Sequence, residues 1–336
     1  MSAFDREAIL SSYGPGDPGY YLVAADAFLI DGKRRLAASA LDRAYALAPD
    51  DPGVARQRAA ILDALAVTVH GLAFRYVPAG TFLMGSSGGE ADERPVHPRR
   101  LGDVWISEVP ISWATYCRLL EWSPPPMGFP GEEDADFAEK KFFLSERNKI
   151  RRQYCADERA PDVPPTYERK PIVAVSPAEA EELALALSYD AVTYALPTEA
   201  EWEKAARGGR EGCAYTWGDD PPTDALCDFD RLRERTRDPK IFPPNGYGLY
   251  GMCGGVAEWT SDRYDALAYR RAARGEGAVE EGTSRVLRGG SFTDCAAAVT
   301  VSFRMARADP GWRSEERLFT ASPNTGFRLV RRVIAR

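Results

Sequence analysis

The chain has 336 residues, 44% of them hydrophobic and 28% charged, with a net charge of −7. Its length accommodates one large domain plus a small one at roughly 100–200 residues per domain, and its composition supports a packed core. The acidic balance argues against bulk attraction to nucleic acid or anionic lipid, no apolar run reaches the roughly 18 residues of a membrane span, and the opening MSAFDREAILSSYG lacks a secretory pattern, so a cytoplasmic protein without membrane contact is expected.

Residues 1–66 are expected to form a helical N-terminal segment. GYYLVAADAFLIDG and RRLAASALDRAYALAPDD place small and apolar residues at helical spacing. Ala37, Leu41, Ala44, Leu47 and Pro49 have the spacing of the second helix of a tetratricopeptide repeat. Tyr21, Ala25 and Phe28 suit its first helix. One such repeat is too short for a solenoid, so the segment is either a docking element on the main domain or a peptide-binding one.

A second unit is expected over 67–336. VTVHGLAFRYVPAGTFLMGSS alternates and breaks at glycines, which predicts strands joined by a tight turn. DVWISEVPISWATYCRLLEW reads as a strand and a short helix. A charged insertion follows at about 123–170; it is either a solvated helical face or a partner-binding lid. In YALPTEAEWEKAARGG, Thr198 and Glu201 form a capping box, Pro197 sets the helix entry, and Gly208 with Gly209 ends the helix.

The six cysteines, Cys117, Cys155, Cys213, Cys227, Cys253 and Cys295, are scattered with no CxxC pair, and they read as free thiols. His70 and His97 are the only histidines. A site built on two or three histidines is therefore disfavoured.

Several motifs follow in order: PAGTFLMGS at 78–86, PTEAEWEKAARGG at 197–209, YTWGDD at 215–220, NGYGLYGMCGGVAEWTSDRY at 245–264, RVLRGGSF at 285–292 and NTGFRLVR at 324–331. This set resembles the formylglycine-generating enzyme (sulfatase-modifying factor) family over roughly residues 70–332. The resemblance implies an α+β, irregular mixed fold related to C-type lectins. Glycines admit the required backbone conformations, and tryptophans fill a core between loops.

Active members of that family carry a cysteine pair soon after the GGS turn, which binds Cu(I) and supports oxygen-dependent oxidation of a substrate cysteine to formylglycine. Two soft thiolates suit that ion. Counted without gaps from Gly289-Gly290-Ser291, the two positions fall on Asp294 and Val299. Cys295 is one residue late, and a one-residue displacement reverses the face in an extended segment. Copper is therefore not expected, and Cys295 reads as a free thiol, with Cys253 the candidate for a second ligand should a site exist. An iron-dependent branch, the sulfoxide synthases of thiohistidine biosynthesis, uses a histidine cluster that this chain lacks. His97 reads as a turn or packing residue.

The resemblance also implies a calcium loop formed by Gly254 O, Val256 O and Glu258, although Gly251 stands where the family places an asparagine ligand. Carbonyl and carboxylate oxygens suit such a hard ion. Arg288, Arg304, Arg307 and Arg328 either contact an anionic ligand or form structural ion pairs with nearby acids.

These readings point to a non-catalytic, binding or regulatory module with a protein or peptide partner. Relatives of this fold, including the variable proteins of diversity-generating retroelements, present the GGS-to-GFR segment to ligands. The corresponding residues are Phe292, Asp294, Arg304, Arg307, Trp312 and Phe319, an aromatic and arginine mixture suited to recognition. The alternatives are a copper-dependent oxidase working through Cys295 and a subunit of a bacterial signalling or defence system.

Overall fold

The computed structural model describes residues 14–119, 169–231, 236–277, 281–308 and 324–334. Most of the charged insertion, together with Trp312 and Phe319, lies outside the described residues. Three helices open the fold: α1 (Pro18–Ile30), α2 (Arg34–Leu47) and α3 (Pro52–Leu65). Asp17 and Asp51 cap α1 and α3, each followed by proline at the first helical position, where a missing N–H is harmless. The buried alanines Ala25, Ala37, Ala38 and Ala40 let α1 and α2 approach closely. Three helices in succession match the expectation of an all-helical segment.

Strands β1 (Val67–Val69) and β2 (Leu72–Val77) form a hairpin. Its two turn residues, His70 and Gly71, have φ of 53° and 68°. Positive φ at both central positions is what a type I′ turn requires, and its twist matches that of the strands. Next come β3 (Gly80–Met84) and β4 (His97–Leu101), which pair only with each other among the described strands. Strand β5 (Val104–Ser107) and helix α4 (Trp113–Leu119) occupy the DVWIS…CRLL stretch.

After the insertion come α5 (Pro177–Leu187), β6 (Val192–Ala195) and α6 (Glu199–Arg207). The remaining elements are β7 (Ala257–Arg263), α7 (Ala268–Ala273), β8 (Ser284–Arg288), β9 (Arg304–Ala308), β10 (Thr325–Gly326) and β11 (Val330–Val333). The larger sheet runs β1-β2-β5-β11-β6 and is antiparallel throughout. The second runs β10-β7-β8-β9, with β10 parallel to β7. Long irregular connections separate these small sheets, as the glycine-rich motifs predict.

One apolar cluster runs from the helical segment into the sheets, linking Leu41 and Leu62 to Phe74, Trp202, Leu249 and Phe327. A polar pin reinforces the junction. Arg58 on α3 is 2% exposed and donates to Asp42 Oδ1 from Nε at 2.9 Å and from Nη2 at 2.7 Å. It also donates to the Gly246 and Gly208 carbonyls at 2.7 and 2.9 Å. The Tyr45 and Tyr247 rings flank its guanidinium at 4.4 and 4.5 Å, and Tyr247 donates to Asp42 Oδ2 at 2.9 Å. Removing one member leaves a buried group without its partner. Arg58→Ala should cost about 3–5 kcal/mol in urea unfolding. Loss of the exposed Lys33–Asp31 pair by Asp31→Ala should cost less than about 1 kcal/mol.

Candidate functional site

Helix α6 organises the region around the glycine turn. Thr198 and Glu201 make both capping-box contacts: Glu201 N donates to Thr198 Oγ1 at 3.2 Å, and Thr198 N donates to Glu201 Oε2 at 2.8 Å. Gly208 ends the helix in the left-handed region at φ 62°. The side chains of α6 then meet arginines from the C-terminal third of the chain.

Glu203 is fully buried. Its Oε1 accepts from Gly85 N at 2.7 Å and from Arg207 Nη2 at 2.7 Å. Its Oε2 accepts from Arg288 Nη2 at 2.5 Å and from the Tyr269 hydroxyl at 3.0 Å. Glu199 binds Arg304 at 2.6 and 3.0 Å. Trp202 donates to Glu258 Oε2 at 2.6 Å, and Arg328 holds both oxygens of that carboxylate at 2.6 and 2.8 Å. Burial alone raises the Glu203 carboxyl, but Arg207, Arg288 and the Gly85 N–H outweigh it and hold it below the usual carboxylate range.

Of the four arginines singled out from the sequence, Arg288, Arg304 and Arg328 are therefore members of internal ion pairs. Arg307 is half-buried and donates to Thr325 Oγ1 at 2.9 Å; burial lowers its guanidinium. Glu258, the carboxylate of the expected calcium loop beside Gly254 and Val256, has Oε1 on Arg328 and Oε2 on both Arg328 and Trp202. No group of three or more His, Cys, Asp or Glu among the described residues has an arrangement suited to a metal ion.

The segment after the turn is knitted into the fold. Gly289 and Gly290 have φ of 88° and 62°, and a Cβ on Gly289 would lie 2.9 Å from the Trp202 ring. Asp294 Oδ2 accepts from Ser291 N at 2.8 Å and from Ser291 Oγ at 2.6 Å. Asn324 donates to Ser291 Oγ and Thr293 Oγ1, both at 2.9 Å. Val299 is 0% exposed and belongs to the main apolar cluster. Cys295 is exposed and opens the 3-10 turn Ala296–Ala298. Phe292 and Arg304, expected at a contact surface, lie in the core instead, because the turn folds inward against Gly255 and α6.

The Tyr215 hydroxyl is raised first by burial and then by Cys253, Cys227 and Cys295, which lie within electrostatic range of it. Tyr215 stacks on Trp217 with ring centroids 5.0 Å apart and donates to the Ala296 carbonyl at 3.3 Å. Burial pushes the Cys253 thiol up to about 12, against the pull of the Thr216 N–H and hydroxyl. Burial and then Cys253 push Cys227 up to about 12. His97 is buried edge-on to Tyr269 at 5.0 Å, as a packing residue. Sequence reading gave Cys227 only as one of the free thiols, since no local pattern marks it further, and missed Glu199 and Glu203 as the partners of the arginines.

A separate cleft of about 690 Å³ lies between α1, α2, β3 and the end of α6. Tyr20, Tyr21, Phe28 and Leu83 give it an apolar wall, and Lys204 and Arg210 line it as cations. Lys204 donates to the Pro78 and Gly80 carbonyls, and burial lowers its ammonium.

The acid dependence of folding should follow Glu203. Its folded pKa lies below the unfolded value of about 4.3, so its contribution is present above that pH and is lost as pH falls through the folded value. Glu203→Gln should cost about 3–5 kcal/mol at neutral pH. It should also flatten the loss of stability below about pH 4, read from urea midpoints across pH.

Comparison with known proteins agrees with this architecture. The model of the sulfatase-modifying factor enzyme 1-like domain matches residues 68–333. The formylglycine-generating enzyme of Streptomyces coelicolor is 31% identical over 287 residues, covering 76% of this chain and 87% of that protein. The serine/threonine-protein kinase pkn1 of Chlamydia caviae is 31% identical over 226 residues, but the chain spans only 32% of its length. Among solved structures, PvdO from Pseudomonas aeruginosa matches at TM-score 0.56 and 20% identity, covering 80% of this chain and 98% of that one. Treponema denticola variable protein 1 matches at TM-score 0.51 and 19% identity, covering 79% and 97%. These two show a shared fold. The ordered motifs, the sheets they build and the match over 68–333 make this chain a member of the sulfatase-modifying factor enzyme 1-like domain family.

Proposed function

We propose that this chain is a non-catalytic binding or regulatory module of its family, engaging a protein or peptide partner. The observation that carries the reading is the fate of the two positions at which the family resemblance puts copper ligands. Asp294 is the acceptor that closes the Ser291 turn, and Val299 is core. Neither offers a soft donor. Cys295 gives Cu(I) one thiolate where a linear site needs two, and the candidate second thiol, Cys253, is buried and pushed up to about 12.

The cleft beside the helical segment supports a recognition role. Its volume lies in the range of ligand sites, roughly 300–1,000 Å³, and aromatic walls with a few cations suit an extended peptide. The chlamydial relatives named as kinases add a second support. Their matching stretch is about a third of a longer chain, so the domain also serves as one part of larger proteins.

The test is an aldehyde assay. Reduced protein is incubated with copper, a thiol reductant, oxygen and a cysteine-containing peptide, and any aldehyde is trapped with a hydrazide. The reading predicts no aldehyde above that given by Cys295→Ser. Aldehyde formed by the parent protein and lost in Cys295→Ser would establish the oxidase instead.

A further inference from the structure

We infer that Cys227 and Cys253 form a disulfide-bonding pair, a modification site separate from the thiol that follows the glycine turn. The two residues are remote in sequence, and the backbone brings them side by side. Asp228 and Gly254 make a parallel β-bridge, and the Gly255 N–H donates to the Asp228 carbonyl at 2.8 Å. Cys227 and Cys253 each precede one member of that bridge, so they occupy facing positions. Paired strands lie about 4.8 Å apart, inside the roughly 4.4–6.8 Å between Cα atoms that a disulfide spans.

Gly254 is what allows this approach. Its φ is 75°, and a Cβ there would run into the Asp228 carbonyl. Both cysteines are free thiols, 2% and 4% exposed, and belong to one apolar cluster. The electrostatic influence of Cys253 on Cys227, and of both on Tyr215, places the sulfurs in one neighbourhood.

The bridge is also a junction. Gly254 N donates to the Gly289 carbonyl at 2.8 Å, Phe292 N to the Gly255 carbonyl at 2.9 Å, and Arg231 N to the Phe292 carbonyl at 2.7 Å. A covalent link between 227 and 253 therefore fastens the two loops that hold the segment after the GGS turn.

The reactant is a small disulfide such as oxidised glutathione. Cys253 Sγ gives up its proton and attacks one sulfur of the small disulfide, releasing one small thiol. Cys227 Sγ then attacks Cys253 Sγ in the mixed disulfide, losing its proton and releasing the second small thiol. The two protein thiols are oxidised, the small disulfide is reduced to two thiols, and the two protons end on those thiols.

The test uses the unmodified full chain, equilibrated with oxidised glutathione, acid-quenched, unfolded, alkylated with a maleimide and mapped by mass spectrometry. The expected result is a Cys227–Cys253 cross-linked peptide and a loss of two alkylatable thiols, with the link retained in Cys295→Ser and absent in Cys227→Ser. A small thiol reductant should restore both sites. Full alkylation of Cys227 and Cys253 after other cysteines have been oxidised would overturn the proposal. So would cross-links from either residue to other cysteines in the same yield.

Discussion

The fold depends on a set of carboxylate–guanidinium contacts sealed inside it. Helix α6 offers Glu199 and Glu203 four residues apart, one helical turn, so both face the same side. Arg304 and Arg288 reach them from paired strands β9 and β8. Trp202, on the same helix, ties in Glu258 and through it Arg328, at the start of the last strand's approach. A buried charge without a partner is costly, so each of these groups fixes the position of the other. The sheets share one apolar core, and directional pairs between them add specification that apolar contact alone lacks.

This explains how the glycine turn is held so tightly with little regular structure around it. Arg288 ends β8, donates to the Val301, Ser302 and Phe303 carbonyls at 2.8, 2.6 and 2.9 Å, and thereby fixes the far end of the loop that begins at Gly289. Asp294 and Asn324 fasten the near end. Between these anchors, Val299 points into the core. A loop constrained in this manner is a scaffold for whatever side chains it carries. Here those side chains are an aspartate used for turn closure, a valine used for packing and one exposed thiol.

Much of the fold was legible because its signals are local. The Thr198–Glu201 capping box, the His70-Gly71 turn and the helices of the N-terminal segment each rest on residues within a few positions of one another. The site was less legible because its contacts are long-range. Nothing near Glu258 in sequence says that an indole 56 residues earlier and a guanidinium 70 residues later will take both of its oxygens. The carboxylate that the resemblance reads as a metal ligand is thus also an internal counter-ion. Phe292 was assigned an outward-facing role by the same limitation: in an irregular segment there is no two-residue alternation to assign a face. Cys227 sits in a stretch with no motif, and only the bridge between Asp228 and Gly254 gives it a neighbour.

The central claim is that the segment after the glycine turn holds structure together instead of holding copper. The most direct measurement is a competitive Cu(I) titration of the fully reduced protein against a chromogenic chelator, run in parallel on the parent chain and on Cys295→Ser. The account predicts indistinguishable curves, since Cys295 has no second soft donor at the expected position. A tight, one-to-one site present in the parent and lost in Cys295→Ser would contradict it.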